Sequence, residues 1–442
     1  MASQAPLFVP CAQGVEDLLA AERTAIAGAP ARAGRGGAWV EGELHAAMRI
    51  NLECRLGQRV LWPLVHAPYR DEHELYAMAR RVDWVAWIGP EQTFRIDVNA
   101  QRSPLRSVNF ALLRIKDALC DSLREACGAR PSVDTRHPDL PLVLFLGPEQ
   151  ASLYVDTSGE ALFKRGWRDA RGGREAVKGE APLKETLAAA MLAAAGWHGR
   201  AEDGPLLDPC CGAGTIAIEA AQLACGRAPG LDRRFAFERL RPFRPQMPQW
   251  QALQRQARSR IHAPAVAVFA GDVSFRMTDF AARNAARAGV AQAIEFKTAD
   301  MLQRLPPAAH GTLMMNPPYG ERIAPKGTAA PAREGFEQGG AAEFFAGLAT
   351  HWKRHYAGWT AWCLSPEPRL PSMMRLKESR RVPLWNGAIE CRLYRFDMVS
   401  GAHAPRRADS RAGADAQPGE QRERRGVGAK HPRPEADIDK SP

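Results

Sequence analysis

The sequence predicts an α/β protein: a Rossmann-like sheet domain, preceded by smaller α+β units and followed by a disordered tail. Three observations carry that reading. The stretch Leu206 to Ala217 (LLDPCCGAGTIA) runs from an apolar pair through a glycine turn into the apolar-periodic helix TIAIEAAQLAC, which is strand, loop and helix start in succession. The apolar runs AVAVFAG, Ala293 to Lys297 and Gly311 to Met315 follow at α/β spacing, and each is followed closely by a polar residue: Asp272, Asp300 and Asn316. From His403 onward large apolar residues almost vanish, so burial cannot offset the entropy of ordering.

At 442 residues the chain is long enough for two or three cores. Its 45% hydrophobic and 25% charged residues are those of a globular protein. The longest weakly polar run, Thr186 to Trp197, is too short to span a bilayer. The opening MASQAPLFVP lacks the pattern of a secretion signal. Nine Cys are scattered without a C-x-x-C pair, with only Cys210 and Cys211 adjacent, which suits a reducing compartment. A cytoplasmic location is therefore expected, with no membrane and no metal. His351 and His355 stand i, i+4, but HWKRH lacks the Glu of a zinc-hydrolase helix. The 60 Lys and Arg against 49 Asp and Glu leave a net charge of +11, which is compatible with a polyanionic partner.

In chain order, residues 1–65 read as a small α+β unit: the apolar run LFVP, a helical pattern through Val15, Leu18, Leu19 and Ala20, an Ala/Gly-rich turn region to Gly37, then extended character from Ala38 to Ile50. Residues 66–160 form a second unit. Thr93 to Asn99 alternates as a half-buried strand, Ser107 to Cys127 has helical spacing, and Pro141 to Leu146 with Ala151 to Val155 reads as a hairpin. Arg102 and Arg106, with Arg114 and Lys116, gather at a strand end and helix start, as solvated charges or as a patch facing RNA phosphates. The segment Phe163 to Arg174 (FKRGWRDARGGR) sets Trp167 among Lys164, Arg165 and Arg168, a mixture suited to phosphates and a stacked base as well as to a linker. Residues 161–400 are the sheet domain and 401–442 the tail. Within the sheet domain, 226–262 reads as an insertion whose basic residues would meet RNA, and the Gly/Pro-rich 323–340 as a mobile lid.

Gly212, Gly214 and Ala217 satisfy G-x-G-x-x-G/A, which admits a dinucleotide or a purely structural turn. Asp208 at the strand end would repel a pyrophosphate and suits a cation instead. S-adenosylmethionine (SAM) carries an ammonium, a sulfonium and no phosphate. The expected SAM residues are Asp208, Pro209, Gly212, Gly214, Thr215, Asp272, Asp300 and Asn316, although any of the three acids could serve as a helix cap. In Asn316-Pro317-Pro318-Tyr319 the prolines stiffen the backbone and leave the Asn316 side-chain oxygen and the Pro317 carbonyl as acceptors. Two acceptors suit a base's exocyclic amine, and Tyr319 suits its ring, so Asn316, Pro317 and Tyr319 are the expected catalytic residues.

With these motifs placed, the chain resembles the THUMP-domain class I methyltransferases, most closely the RlmL-type bacterial large-subunit ribosomal RNA guanine-N2 methyltransferases. The resemblance runs from about Pro6 to Ser400 and rests on LLDPCCGAGTIAIEAA, NPPYGER, APLKETLAAAM and NGAIECRL. It implies an N-terminal ferredoxin-like domain over 1–65, a THUMP RNA-binding domain over 66–160 and a SAM-binding methyltransferase domain over 161–400. It also implies that Asp272 holds the ribose, Asp300 the adenine side and Asn316 to Tyr319 the target base of 23S ribosomal RNA or its large-subunit precursor. Only one glycine loop is visible, so a single activity is expected. An adenine-N6 enzyme, a transfer RNA guanine enzyme, a non-catalytic RNA-binding assembly factor and a nicotinamide oxidoreductase are the rivals.

Overall fold

Alternation of buried and exposed residues starts at the first strand, where Ala5, Leu7 and Val9 face inward. The computed structural model describes residues 5–168, 183–317 and 340–399. Its first part comprises β1 (Ala5–Pro10), α1 (Glu16–Ala27), β2 (Ala31–Gly34), β3 (Gly37–Gly42), α2 (Leu44–Glu53), β4 (Leu61–Pro68), α3 (Glu72–Arg80), β5 (Thr93–Ala100), α4 (Val108–Cys127), β6 (Ser132–Val133), β7 (Leu140–Leu146) and β8 (Gln150–Asp156). These strands join in one sheet of order β2-β3-β1-β4-β8-β7-β5-β6. The expected boundary at residue 65 falls inside β4, which pairs with β1 on one side and β8 on the other.

Two local expectations need correction. Ala38 to Ile50 is extended only as far as Gly42 and continues as helix α2, because Ala47, Met48, Asn51 and Leu52 recur at helical spacing and are buried. Part of the Ala/Gly-rich region is strand β2, whose pairing with β3 from Ala31↔Val40 to Gly34↔Gly37 is not visible in composition. Helix α4 begins as its sequence suggests: the Ser107 hydroxyl accepts from the Phe110 amide, and the helix ends at Gly128 with φ +75°.

The remainder holds α5 (Glu185–Ala195), β9 (Leu206–Asp208), α6 (Thr215–Ala224), α7 (Met247–Ser259), β10 (Val268–Asp272), α8 (Phe275–Arg287), β11 (Ile294–Thr298), β12 (Gly311–Met315), α9 (Gly340–His355), β13 (Trp359–Ser365), α10 (Leu370–Met374), β14 (Arg380–Asn386) and β15 (Ile389–Asp397). The second sheet has the order β11-β10-β9-β12-β13-β15-β14. Its first five strands are parallel and β15 is antiparallel to both neighbours. Both faces are covered, so successive residues feed different cores. Leu206 and Met314 pack with α5, α6 and α8, while Leu207, Leu313 and Met315 pack with Phe345, Leu348 and Trp352 of α9.

The interval 226–262 ties the parts together. The Gly230 amide donates to Leu52 O, the Phe237 amide to Thr157 O, Arg239 to Pro138 O, Arg241 to Val85 O, and Arg260 pairs with Glu53 at 2.9 Å. Phe243 packs edge-on to Trp62. The expectation that its basic residues meet RNA is corrected for Arg233, which is buried with its guanidinium on the Glu160 and Ala161 carbonyls; Arg239, Arg241 and Arg260 each bond the chain's own carbonyls or Glu53 but keep partly exposed side chains. The expected lid at 323–340 lies, but for Gly340, outside the described residues, and so does the tail. No described helix is long and apolar enough to cross a membrane.

Candidate active site

Strands β11, β10, β9 and β12 are consecutive and parallel, so Asp300, Asp272, Asp208 and Asn316 come from four neighbouring carboxyl ends on one rim. The chain order departs in opposite directions from β9, which puts the topological switch between β9 and β12. In open α/β sheets that crevice is where ligands bind. Asp208 and Asn316 flank it from adjacent strands, with Asn316 two residues further along because Leu207 faces Leu313, which sets their backbones roughly 8 Å apart.

The glycine loop is built around backbone geometry that other residues resist. Gly212 and Gly214 have φ of +52° and +86°, and a Cβ on Gly214 would lie 3.0 Å from that of Ala281. Gly214 opens α6 and its own N–H is taken by Cys211 O, so the N–H groups of Thr215, Ile216 and Ala217 and the positive dipole end are left facing the rim. The Thr215 hydroxyl accepts from Arg168, which leaves its own proton and the Thr215 backbone N–H as donors for a ligand. Pro209 is buried behind the loop.

Asp208 is 1% exposed and neither of its oxygens has a hydrogen-bond partner among the described residues. Burial pushes its carboxyl well above the usual range. The Cys210 amide opposes this without reaching hydrogen-bond geometry, and the negative charge of Asp272 adds to the rise. Asp272 Oδ2 accepts from the Gly212 amide and Oδ1 from the Ser274 amide, both at 3.0 Å, so it also braces the loop; burial raises its carboxyl and these two amides hold it down. Asp300 accepts from the Leu302 amide at 2.9 Å, the capping use its position allowed. Asn316 Oδ1 is buried with no partner among the described residues, and Pro317 is buried beside it. Tyr319 lies outside the described residues. Cys210 and Cys211 have thiols pushed far up by burial, which leaves little thiolate for redox chemistry.

A buried carboxyl with no partner destabilises the protein once it ionises. The folded state holds this proton to a higher pH than the unfolded chain, so the contribution is fully present below the unfolded carboxyl range near 4 and is lost as pH rises through the raised folded value. Asp208→Asn is therefore expected to raise the melting temperature of the ligand-free protein at pH 8 and to change it little at pH 4. Equal shifts at the two pH values in differential scanning fluorimetry would show that folding does not move the Asp208 carboxyl from its ordinary range.

Arg304 escaped the sequence reading. It is 5% exposed, its Nη1 lacks a partner, and its guanidinium lies against Gly271, where a Cβ would collide with it. Burial lowers its pKa and the Asp208 charge partly restores it, so it contributes a cation beside the acids. The glycine immediately before Asp272 was the available signal.

The basic residues divide. Arg102 and Arg106 are exposed, as are Phe110 and Leu113 on the following helix, and Lys164 is exposed with an ion pair to Glu160 at 3.0 Å. Arg165 and Trp167 do not face solvent, and Arg168 is partly exposed. Arg165 pairs with Glu219 at 3.0 Å in the interior, Trp167 is 3% exposed, and Arg168 lies over the Trp167 ring and pairs with Glu185 at 2.9 Å. The RNA-facing expectation for Arg165 and Trp167 is corrected: carboxylates on otherwise apolar helices draw the cations inward.

Residues 171–395 match the family described as RMKL-like, methyltransferase domain; residues 69–156 match the THUMP domain and residues 6–61 the RlmL ferredoxin-like domain. A "Ribosomal RNA large subunit methyltransferase K/L" of Syntrophotalea carbinolica is 36% identical over 411 residues, 90% of this chain and 55% of the relative. Its counterpart in Shewanella sp. strain ANA-3 is 34% identical over 389 residues, 87% and 51%. The chain thus spans about half the length of these curated relatives. Among solved structures, a predicted N6-adenine-specific DNA methylase from Listeria monocytogenes superposes with a TM-score of 0.76 at 26% identity, over 89% of this chain and 96% of that one. SMU.472, solved with SAH, shares the fold with a TM-score of 0.78 at 24% identity, over 90% and 99%.

Proposed function

Since the chain belongs to the RMKL-like methyltransferase family, we propose that it methylates the exocyclic N2 amine of a guanine in 23S ribosomal RNA, using SAM. The observation that carries this is the pair of partnerless buried acceptors, Asp208 and Asn316 Oδ1, on either side of the switch-point crevice. Buried acceptors without partners are rare in folded proteins, and here they match the groups that the two substrates bring. Bound SAM supplies an electrophilic methyl group on a sulfonium.

Asp208 suits the ammonium of the donor, the loop amides around Gly212 and Gly214 suit its carboxylate, and Asp272 and Asp300 suit its hydroxyl and amino groups. The Asn316 side-chain oxygen and the Pro317 carbonyl accept the two N–H bonds of the target amine. Its lone pair is otherwise delocalised into the base; held this way, the nitrogen is aimed, and the positive charge that develops on it is stabilised. The base must leave its stack to reach the rim. Arg102, Arg106 and Lys164, with Phe110 and Leu113 nearby in sequence on the THUMP unit, form the face we assign to the RNA backbone.

Labelled SAM incubated with ribosomal RNA from a strain lacking this gene, followed by nucleoside mass spectrometry, tests the assignment. N2-methylguanosine in 23S RNA is expected; N6-methyladenosine, or label in transfer RNA alone, would replace the substrate. Binding of RNA without any transfer would favour an assembly factor. Asp272→Ala is expected to weaken SAM by about tenfold or more in calorimetry, because the loop brace and the ribose contact go together. Unchanged affinity would move the ribose contact elsewhere.

A further inference from the structure

A cleft of about 270 Å³ opens where the β1–α1 loop, the start of α5 and the β14–β15 turn meet, and methyl transfer makes no use of it. Strand β14 is antiparallel to β15, which is antiparallel to β13, so β14 runs with the parallel strands and ends on the same carboxyl rim as β12. Three strand spacings put its end about 14 Å across the sheet from Asn316, and because Asn316 is level with Val382 it also reaches about 13 Å further along the strands. The start of α5 reaches that rim too, because Arg168 bonds both Leu183 O and the Thr215 hydroxyl at the head of α6.

The lining is chemically mixed. Trp385 presents a half-buried ring, Gln13, Gln58 and Thr186 supply donors and acceptors, and the exposed Lys184 ammonium stands 5.2 Å from the Phe163 ring at its edge. No carboxylate is among the described residues that line the cleft, so an anion meets no opposing charge from them. An aromatic face with amides and one cation is the set that holds a single-stranded nucleotide: ring for base, amides for base edge, ammonium for phosphate. The volume, near the lower end of small-molecule clefts, suits one base.

Resting on the reading that the substrate is RNA, the geometry points to this cleft as the seat of a second unstacked nucleotide, on the strand whose target base enters at Asn316. The protein thereby grips the strand at two points of one rim. Nucleotide choice at the second point helps to select the site that is methylated.

The test uses the full chain, a fluorescein-labelled single-stranded fragment of 23S RNA, and the variants Trp385→Ala, Trp385→Phe and Lys184→Ala. Trp385→Ala is expected to weaken RNA binding by about 5- to 100-fold, the range for losing one base–aromatic stack, and Trp385→Phe to restore most of it. Lys184→Ala is expected to reduce the slope of log affinity against log salt by about 0.7, one phosphate contact on a single strand. SAM affinity, read by calorimetry, stays at the wild-type value in all three, which reports an intact sheet domain. If Trp385→Ala loses SAM binding, the exposed Lys184 decides alone. Unchanged RNA affinity and salt slope overturn the proposal even if the enzyme methylates RNA. Weakened binding in the variants of a protein that methylates no RNA upholds the cleft and sinks the methyl-transfer reading, and a wild-type protein that binds no RNA sinks both.

Discussion

Asn316→Ala is expected to lower the turnover number by about 100- to 1,000-fold, the usual effect of removing one group aimed at developing transition-state charge. The SAM dissociation constant should stay within about twofold. The melting temperature should also hold, which is the unusual part. Asn316 Oδ1 is buried with no partner among the described residues, so truncation to Ala relieves an unsatisfied acceptor. A residue serving only the turn would show the reverse: lost stability with turnover nearly intact. Asn316→Asp keeps an acceptor but puts a second carboxylate near Asp208, on the neighbouring strand, and should recover only part of the rate. The measurement is single-turnover transfer to saturating RNA alongside calorimetry and thermal melting. Wild-type turnover in Asn316→Ala would remove the residue from the catalytic assignment.

How much of this was legible follows from where each signal lives. Strand β12 was read at its observed limits, Gly311–Met315, because its apolar run is bounded by a glycine and by Asn-Pro-Pro, both local features. The helix after the loop began at Thr215 for the same reason: Gly214 must take a left-handed φ that only the loop can use. The four rim residues could be placed together because each stands at or just past the end of an apolar run and parallel strands share one polarity. What failed was long-range. FKRGWRDARGGR has the composition of a solvated surface, and nothing within it announces that Arg165 is interior or that Arg168 pairs with a buried carboxylate. Their partners lie further on, as the single acids Glu219 and Glu185 of α6 and α5, helices buried on almost every side. An isolated carboxylate inside an apolar helix requires a cation, and that was the usable clue. The arginines of 226–262 had no such clue, since most of their acceptors are backbone carbonyls of distant segments. The merging of two N-terminal units into one sheet was equally hidden: β1 and β4 meet in register only at Phe8↔Leu61.

Glu219→Ala is expected to produce the largest loss of stability, about 3–5 kcal/mol, the range for stripping the partner from a buried ion pair. Glu219 is fully buried on α6 and accepts from Arg165 Nε at 3.0 Å and from Arg55 Nη1 at 3.2 Å. Arg55 follows α2 in the N-terminal unit, and Arg165 lies in the segment leading to the sheet domain. Arg165 in turn donates to the Arg55 carbonyl at 2.8 Å and the Leu162 carbonyl at 2.9 Å. One carboxylate therefore holds two guanidinium groups, and burial already lowers the Arg55 pKa in spite of it. Without Glu219 both cations stay in the interior, with bonds to carbonyls and Gln222 and the more distant charges of Glu22 and Glu185 to offset their desolvation. Pairing the change with Arg165→Met removes one stranded charge and should return a substantial part of the loss, since replacing a buried pair by apolar groups of similar volume is close to neutral. Because α6 carries the glycine loop at its head, SAM affinity should fall with stability in Glu219→Ala and recover with it in the double variant. Denaturant unfolding followed by tryptophan fluorescence and by SAM binding reads both quantities. Coincident wild-type midpoints in Glu219→Ala would show that the interior charges are solvated by some other route and that the two parts of the chain are held together without this ion-pair cluster.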